Sequence, residues 1–157
     1  MRRIALAFLT LIAAACATPK PGTGSTSSVP GHGAISIQII PNPIVATRVS
    51  GNTYEFPFEV VVRETGGRTV NVDRVSADVY AIGRVRVASE SYNMADIQNL
   101  GYSTTIPANG TVRYRFAPRK SVGDERLFGG VYAELHVEAT DDTGTPTRAT
   151  TTVTVTR

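Results

Sequence analysis

The chain of 157 residues contains no tryptophan, one cysteine and two histidines, and each scarcity removes a class of function. One cysteine cannot close an intrachain disulfide, so stability must come from burial and hydrogen bonding. A zinc centre of nitrogen and sulfur ligands takes about four such groups, more than Cys16, His32 and His136 supply. Hydrolytic triads require a base fixed beside a nucleophile. His136 alternates outward on a strand pattern between Glu134 and Glu138, and His32 lies between two glycines with nothing to fix it. The chain therefore reads as non-enzymatic, with no cofactor. Without tryptophan the usual stacking platform for sugars is missing, which leaves Tyr92, Tyr102 and Tyr132 as the candidate exposed aromatics.

Long apolar runs are also scarce. Past residue 15 no segment offers the eighteen or more consecutive apolar residues of a spanning helix. The start of the chain is different: Arg2 and Arg3 are followed by an apolar run, Ile4 to Ile12, and by Ala13-Ala14-Ala15 before Cys16. This is the layout of a secretory signal with a small-residue cleavage site. Small residues directly before the only cysteine resemble the lipobox of bacterial lipoproteins, although Ala13 stands where that family most often carries leucine. The resemblance implies that Cys16 is lipidated on sulfur and becomes the new N-terminus, holding the protein to a membrane. Two or more acyl chains hold a protein stably where one does so only marginally. Ala17 in place of aspartate points, by the same resemblance, to the outer rather than the inner membrane of the cell envelope. An ordinary signal cut near Ala15 or Ala17 would instead release a soluble periplasmic or secreted protein.

The formal charge is +3, but without Arg2 and Arg3 the chain carries 14 basic against 13 acidic residues. Near-neutrality removes the clustered basic face that nucleic-acid binding uses. Loss of the first fifteen residues leaves 142, room for a single domain and a tether. Residues 17–33, rich in Pro, Gly, Ser and Thr, read as a flexible spacer reaching ~20 Å.

From Ala34 the pattern is β throughout. Ile35, Ile37 and Ile39 alternate with polar residues until Pro41-Asn42-Pro43. Tyr54, Phe56, Phe58, Val60 and Val62 share one face of the next strand, with a local break expected at Pro57. Val70 and Val72 differ in parity from Val75, Ala77 and Val79, which predicts a bulge near Asp73-Arg74. A tight hairpin at Ile82-Gly83 leads to a strand over Arg84–Ala88. Asn93 to Gly101 carries a cap, an acidic first turn and Met94, Ile97 and Leu100 at spacing three, which predicts one or two helical turns closing an end of the core. Strands follow at Tyr102–Ile106 and Thr111–Phe116, then from Val131 to Ala139 and from Thr147 to Thr156. Seven to nine short strands and one small helix over 34–157 predict an immunoglobulin-like β-sandwich. In outline it resembles the single modules of bacterial surface and periplasmic proteins.

Two places are candidate sites. Asp141 and Asp142 could give oxygen ligands to calcium, though adjacent aspartates before Thr-Gly also make a hairpin turn. The charged, glycine-rich loop from Ala117 to Gly130 holds Arg119, Lys120, Leu127 and Phe128, which could present a partner-binding tip or fold back over the core. The expectation is a non-catalytic, membrane-anchored lipoprotein that contacts an envelope protein in assembly, adhesion or scaffolding. Glycan or peptide binding, or protease inhibition through the Ala117–Gly130 loop, are the alternatives.

Overall fold

The computed structural model describes residues 23–25 and 29–157; the signal, Cys16 and most of the expected tether lie outside them. Short strands dominate: β1 (Thr23–Ser25), β2 (Ile35–Ile40), β3 (Ile44–Val45), β4 (Thr47–Ser50), β5 (Thr53–Glu55), β6 (Phe58–Glu64), β7 (Val70–Ala81) and β8 (Val85–Asn93). A helix α1 (Met94–Asn99) is followed by β9 (Thr105–Ile106), β10 (Thr111–Phe116), β11 (Arg119–Ser121), a single 3-10 turn (Glu125–Phe128), β12 (Tyr132–Asp141) and β13 (Pro146–Thr156).

One sheet runs β1-β2-β6-β10 and the other β3-β13-β12-β7-β8, with β9 also on β7; β11-β5-β4 form a small third sheet. The two larger sheets face each other as an all-β sandwich of immunoglobulin-like type. Alternation decides which side chains fill it. In β12, Ala133, Leu135, Val137 and Ala139 point in, and in β13 Ala149, Val153 and Val155 do the same. They meet Ile35, Ile37, Val60 and Val62 of the opposite sheet in one core cluster.

The two sides of the sandwich differ. Between β2 and β13 it is closed. β1 pairs with β2 and lies so close to β13 that a Cβ on Gly24 would overlap the Thr150 carbonyl oxygen. β3 pairs in parallel with β13, and Ala46 N–H donates to the Thr156 carbonyl at 2.7 Å. At the other side β8 edges one sheet and β10 the other. Among the described residues neither has a further strand alongside.

Several expectations are met in detail. The register of β7 against β12 slips between Glu138 and Ala139, leaving Asp73 as the extra residue, so Val72 and Val75 both face the core. The ladder breaks at Phe56-Pro57, between β5 and β6. In α1 the Asn93 carboxamide accepts the Asp96 N–H at 3.0 Å and Asp96 accepts the Asn93 N–H at 2.9 Å, a reciprocal capping box that buries Ile97.

Others are corrected. Ordered chain begins before Ala34, because Thr23–Ser25 pairs with β2 and Gly33 N–H is tied to Asp141 at 2.9 Å. His32 is therefore placed, with Nδ1 3.6 Å from Asp141 Oδ2. The strand expected over Arg84–Ala88 runs to Asn93, and Val85 and Val87 are 60% and 51% exposed where alternation alone would bury them. Of Tyr102–Ile106 only the last two residues pair. The Ala117–Gly130 loop contains β11 and the 3-10 turn.

Candidate functional site

The open side is built by parity and one bulge. β8 meets β7 with Val75 opposite Tyr92, Ala77 opposite Glu90 and Val79 opposite Ala88. The register then slips and Val87 becomes the extra residue before Tyr80 meets Arg86. Ala88, Glu90 and Tyr92 therefore share the inward face of an edge strand. Tyr92 belongs there: its ring stacks on Phe116 of β10 at 4.4 Å, and Phe116 neighbours Phe58 and Tyr114. Tyr114 is fully buried, donates its hydroxyl to the Ser103 carbonyl at 3.0 Å, and has its pKa pushed up by burial. These rings and Ile97 fill the part of the seam beside α1.

Beyond Tyr92 the filling stops. A cavity of about 80 Å³ lies between the sheets, walled by Phe56, Val79, Ala88, Phe116, Ala133 and Leu135 among others; Ser76 and Ser89 also border it, but the surface turned to it is apolar. Glu90 and Lys120 flank it, and their charged ends meet at 2.6 Å from strands β8 and β11. The side chains are 34% and 46% exposed. Thus the long stems cover apolar wall while the heads stay wet, as amphipathic side chains do. One ion pair bridges the open seam at its unfilled part.

At one end of the sandwich two buried carboxylates hold the loops. Glu64 continues the inward parity of β6 and is fully buried. Its oxygens accept N–H groups of Gly66 at 2.6 Å, Asn109 at 2.8 Å, Gly67 at 3.0 Å and Ala34 at 3.3 Å. Burial works against its charge, yet the backbone donors outweigh it and hold its pKa below the usual value. A Cβ on Gly66 would overlap the His32 carbonyl, so this crossing admits glycine alone. Asp141 accepts from the Thr143 hydroxyl at 2.5 Å and from the N–H groups of Gly33, Thr143 and Thr145, each at 2.9 Å. The Thr143 hydroxyl, then the Gly33 N–H, lower its pKa most.

Both Asp141 oxygens already accept donors, and Asp142 pairs with Arg68 at 2.6 Å, so the pair closes a turn and ties loops together. Among the described residues no three His, Cys, Asp or Glu side chains converge as a metal group. His136 contacts the Thr150 hydroxyl at 3.0 Å on the outer sheet face.

The four loop residues do not form one tip. Arg119 pairs with Glu55 at 2.8 Å, and Lys120 with Glu90. Phe128 folds back, edge-on to Tyr54 at 5.1 Å and beside Phe56 at 6.4 Å. Leu127 is the one apolar residue of the four that projects, 42% exposed. Glu125 secures the turn: it accepts the Tyr54 hydroxyl at 2.7 Å and pairs with Arg48 and Arg157. Of the tyrosines considered for sugar stacking, Tyr92 and Tyr102 join the aromatic cluster, and Tyr132 stacks on Tyr80 across the outer face at 5.3 Å. Sequence reading missed Glu64, Glu90 and the exposed Val85 and Val87. Parity could have flagged Glu64, which continues the inward positions of β6, but not Glu90, which faces inward only because the register slips at Val87.

No protein-family model matches the chain, and no curated protein does. Solved structures do. A structural-genomics target designated SoR45 superposes with a TM-score of 0.52 at 8% identity, covering 82% of this chain and 90% of that one. A Bordetella pertussis protein designated ApaA gives 0.52 at 12% identity, over 83% of this chain and 99% of the other. At such identities the likeness is one of fold: the chain is a small all-β sandwich domain.

Proposed function

We propose that this protein is a non-catalytic lipoprotein of the cell envelope, anchored through an acylated Cys16, and that it offers its open seam to an envelope protein. The observation that carries the reading is the position of β1. The chain joins the sandwich along the closed seam, and the unpaired edge of β8 lies across the sandwich from it. Cys16 is seven residues before Thr23, a span of at most about 25 Å. An acyl anchor there keeps the domain close to the bilayer, with the seam around β8 turned away from the attachment.

β8 suits a partner's extended segment. An edge strand presents free N–H and C=O groups for strand addition, and Val85 and Val87 add exposed apolar surface. The bulge at Val87 and the inward Glu90 are devices that restrain indiscriminate edge pairing, which leaves recognition to a fitting strand. Affinity capture from envelope extracts tests this. Wild type is expected to recover a partner that the Val85→Asp/Val87→Asp double variant loses. Equal recovery by both counts against β8 as the contact.

A further inference from the structure

We propose that the cavity behind Glu90 and Lys120 binds a short aliphatic carboxylate, its tail between the sheets and its carboxylate on the Lys120 ammonium. The site does not depend on β8 having a protein partner. Three small residues on adjacent strands make the space: Ala88 of β8, Ala77 of β7 and Ala133 of β12. Larger side chains at any of them would close it. The volume of about 80 Å³ holds the last two or three carbons of a tail at ~30 Å³ each, the share of a water molecule in the liquid, and leaves the carbon beside the carboxylate at the mouth. Ser76, Ser89, Glu90 and Lys120 border the space but turn no polar surface to it, so an aliphatic tail enters without stranding a polar group.

The mouth selects the head group. Lys120 Nζ lies 2.6 Å from Glu90 Oε2, so a carboxylate already occupies the place that a ligand's carboxylate would take. An ammonium has three donors, and Glu90 is a third exposed. A second carboxylate can therefore join Lys120 while Glu90 turns to water. The pair then acts as a plug that an acidic ligand displaces and a neutral one does not.

Pentanoate is the probe, with pentanol as its uncharged control, titrated into the purified protein while alanine methyl resonances are followed. Saturable shifts are expected at Ala77, Ala88 and Ala133. Lys120→Gln should weaken pentanoate about two- to fivefold, the range for a partly exposed ion pair, and leave pentanol unchanged. Glu90→Gln, which removes the competing carboxylate, should tighten pentanoate. Ala133→Leu should cost both ligands at least about tenfold, and Ala88→Leu fills the same space from the edge strand should the first variant not fold. Absence of saturable shifts, or shifts that persist in the filled variant, overturns the site. Pentanoate affinity unchanged by Lys120→Gln overturns the carboxylate assignment.

Discussion

The Glu64 carboxylate accepts the Asn109 backbone N–H at 2.8 Å across 45 residues of sequence. With Gly66, Gly67 and Ala34 on the same two oxygens, one side chain joins three loops. Replacing it by glutamine turns an acceptor into a donor opposite buried N–H groups. Glu64→Gln is expected to lose about 2 kcal/mol at neutral pH, measured by urea unfolding.

The same carboxylates set the acid limb of stability. Glu64 and Asp141 both have folded pKa values below their ordinary 4.5 and 3.8. The unfolded chain therefore binds protons first as pH falls, so stability rises with pH in that range. Their contribution is complete above about pH 5 and is lost progressively as pH falls from near 4.5 through the folded values. Melting curves from pH 7 to pH 2 should drop below pH 4.5 in wild type and drop less steeply in Glu64→Gln. An unchanged slope would contradict the assignment.

Asp141 and Asp142 should separate cleanly. Asp141→Ala frees four donors and should destabilise the protein strongly, whereas Asp142→Ala removes one surface pair with Arg68 and should barely move the melting temperature. Millimolar calcium should leave the wild-type melting temperature unchanged, because both Asp141 oxygens are in use. A calcium-dependent rise would show that the turn opens to take the ion.

Adjacent loop residues should differ as well. Phe128→Ala removes the ring against Tyr54 and Phe56 and should cost about 2 kcal/mol, below the value for a fully buried phenylalanine. Leu127→Ala should stay within about 0.5 kcal/mol, as exposed substitutions do. Chemical denaturation of both variants checks the contrast.

Much of this architecture was legible because alternation is a local signal. The parity change between Val72 and Val75 fixed the bulge, Pro57 fixed the break, and Asn93 with Asp96 fixed the helix start. Pairing partners were not legible. That Thr23–Ser25 would add to β2, or that Arg119–Ser121 would meet β5, depends on residues far away in sequence. Val85 and Val87 alternate like core residues, but both lie at the free edge of a sheet and the register slip takes Val87 out of the alternation. The site followed the same rule: Asp141-Asp142 reads locally as a turn or a cation ligand, and the bond from Gly33 N–H to Asp141, 108 residues away in sequence, leaves no local trace. Lys120 and Glu90 carry no local motif, since what joins them is the approach of two sheet edges.

The proposed anchor rests on the sequence of residues 1–16 and is checked by metabolic labelling with a clickable fatty acid. Label is expected on the wild-type protein and absent from Cys16→Ser. Label that persists on Cys16→Ser, or none on wild type, removes the anchor.

The orientation of the domain is the central claim, and photo-crosslinking in intact cells tests it most directly. A photoreactive residue at Val87, on the free edge of β8, is compared with one at Thr152, on the outer face of β13 beside the closed seam. A discrete crosslinked protein from Val87 and none from Thr152 is the predicted result. The same product from both positions, or a product from Thr152 alone, would contradict it.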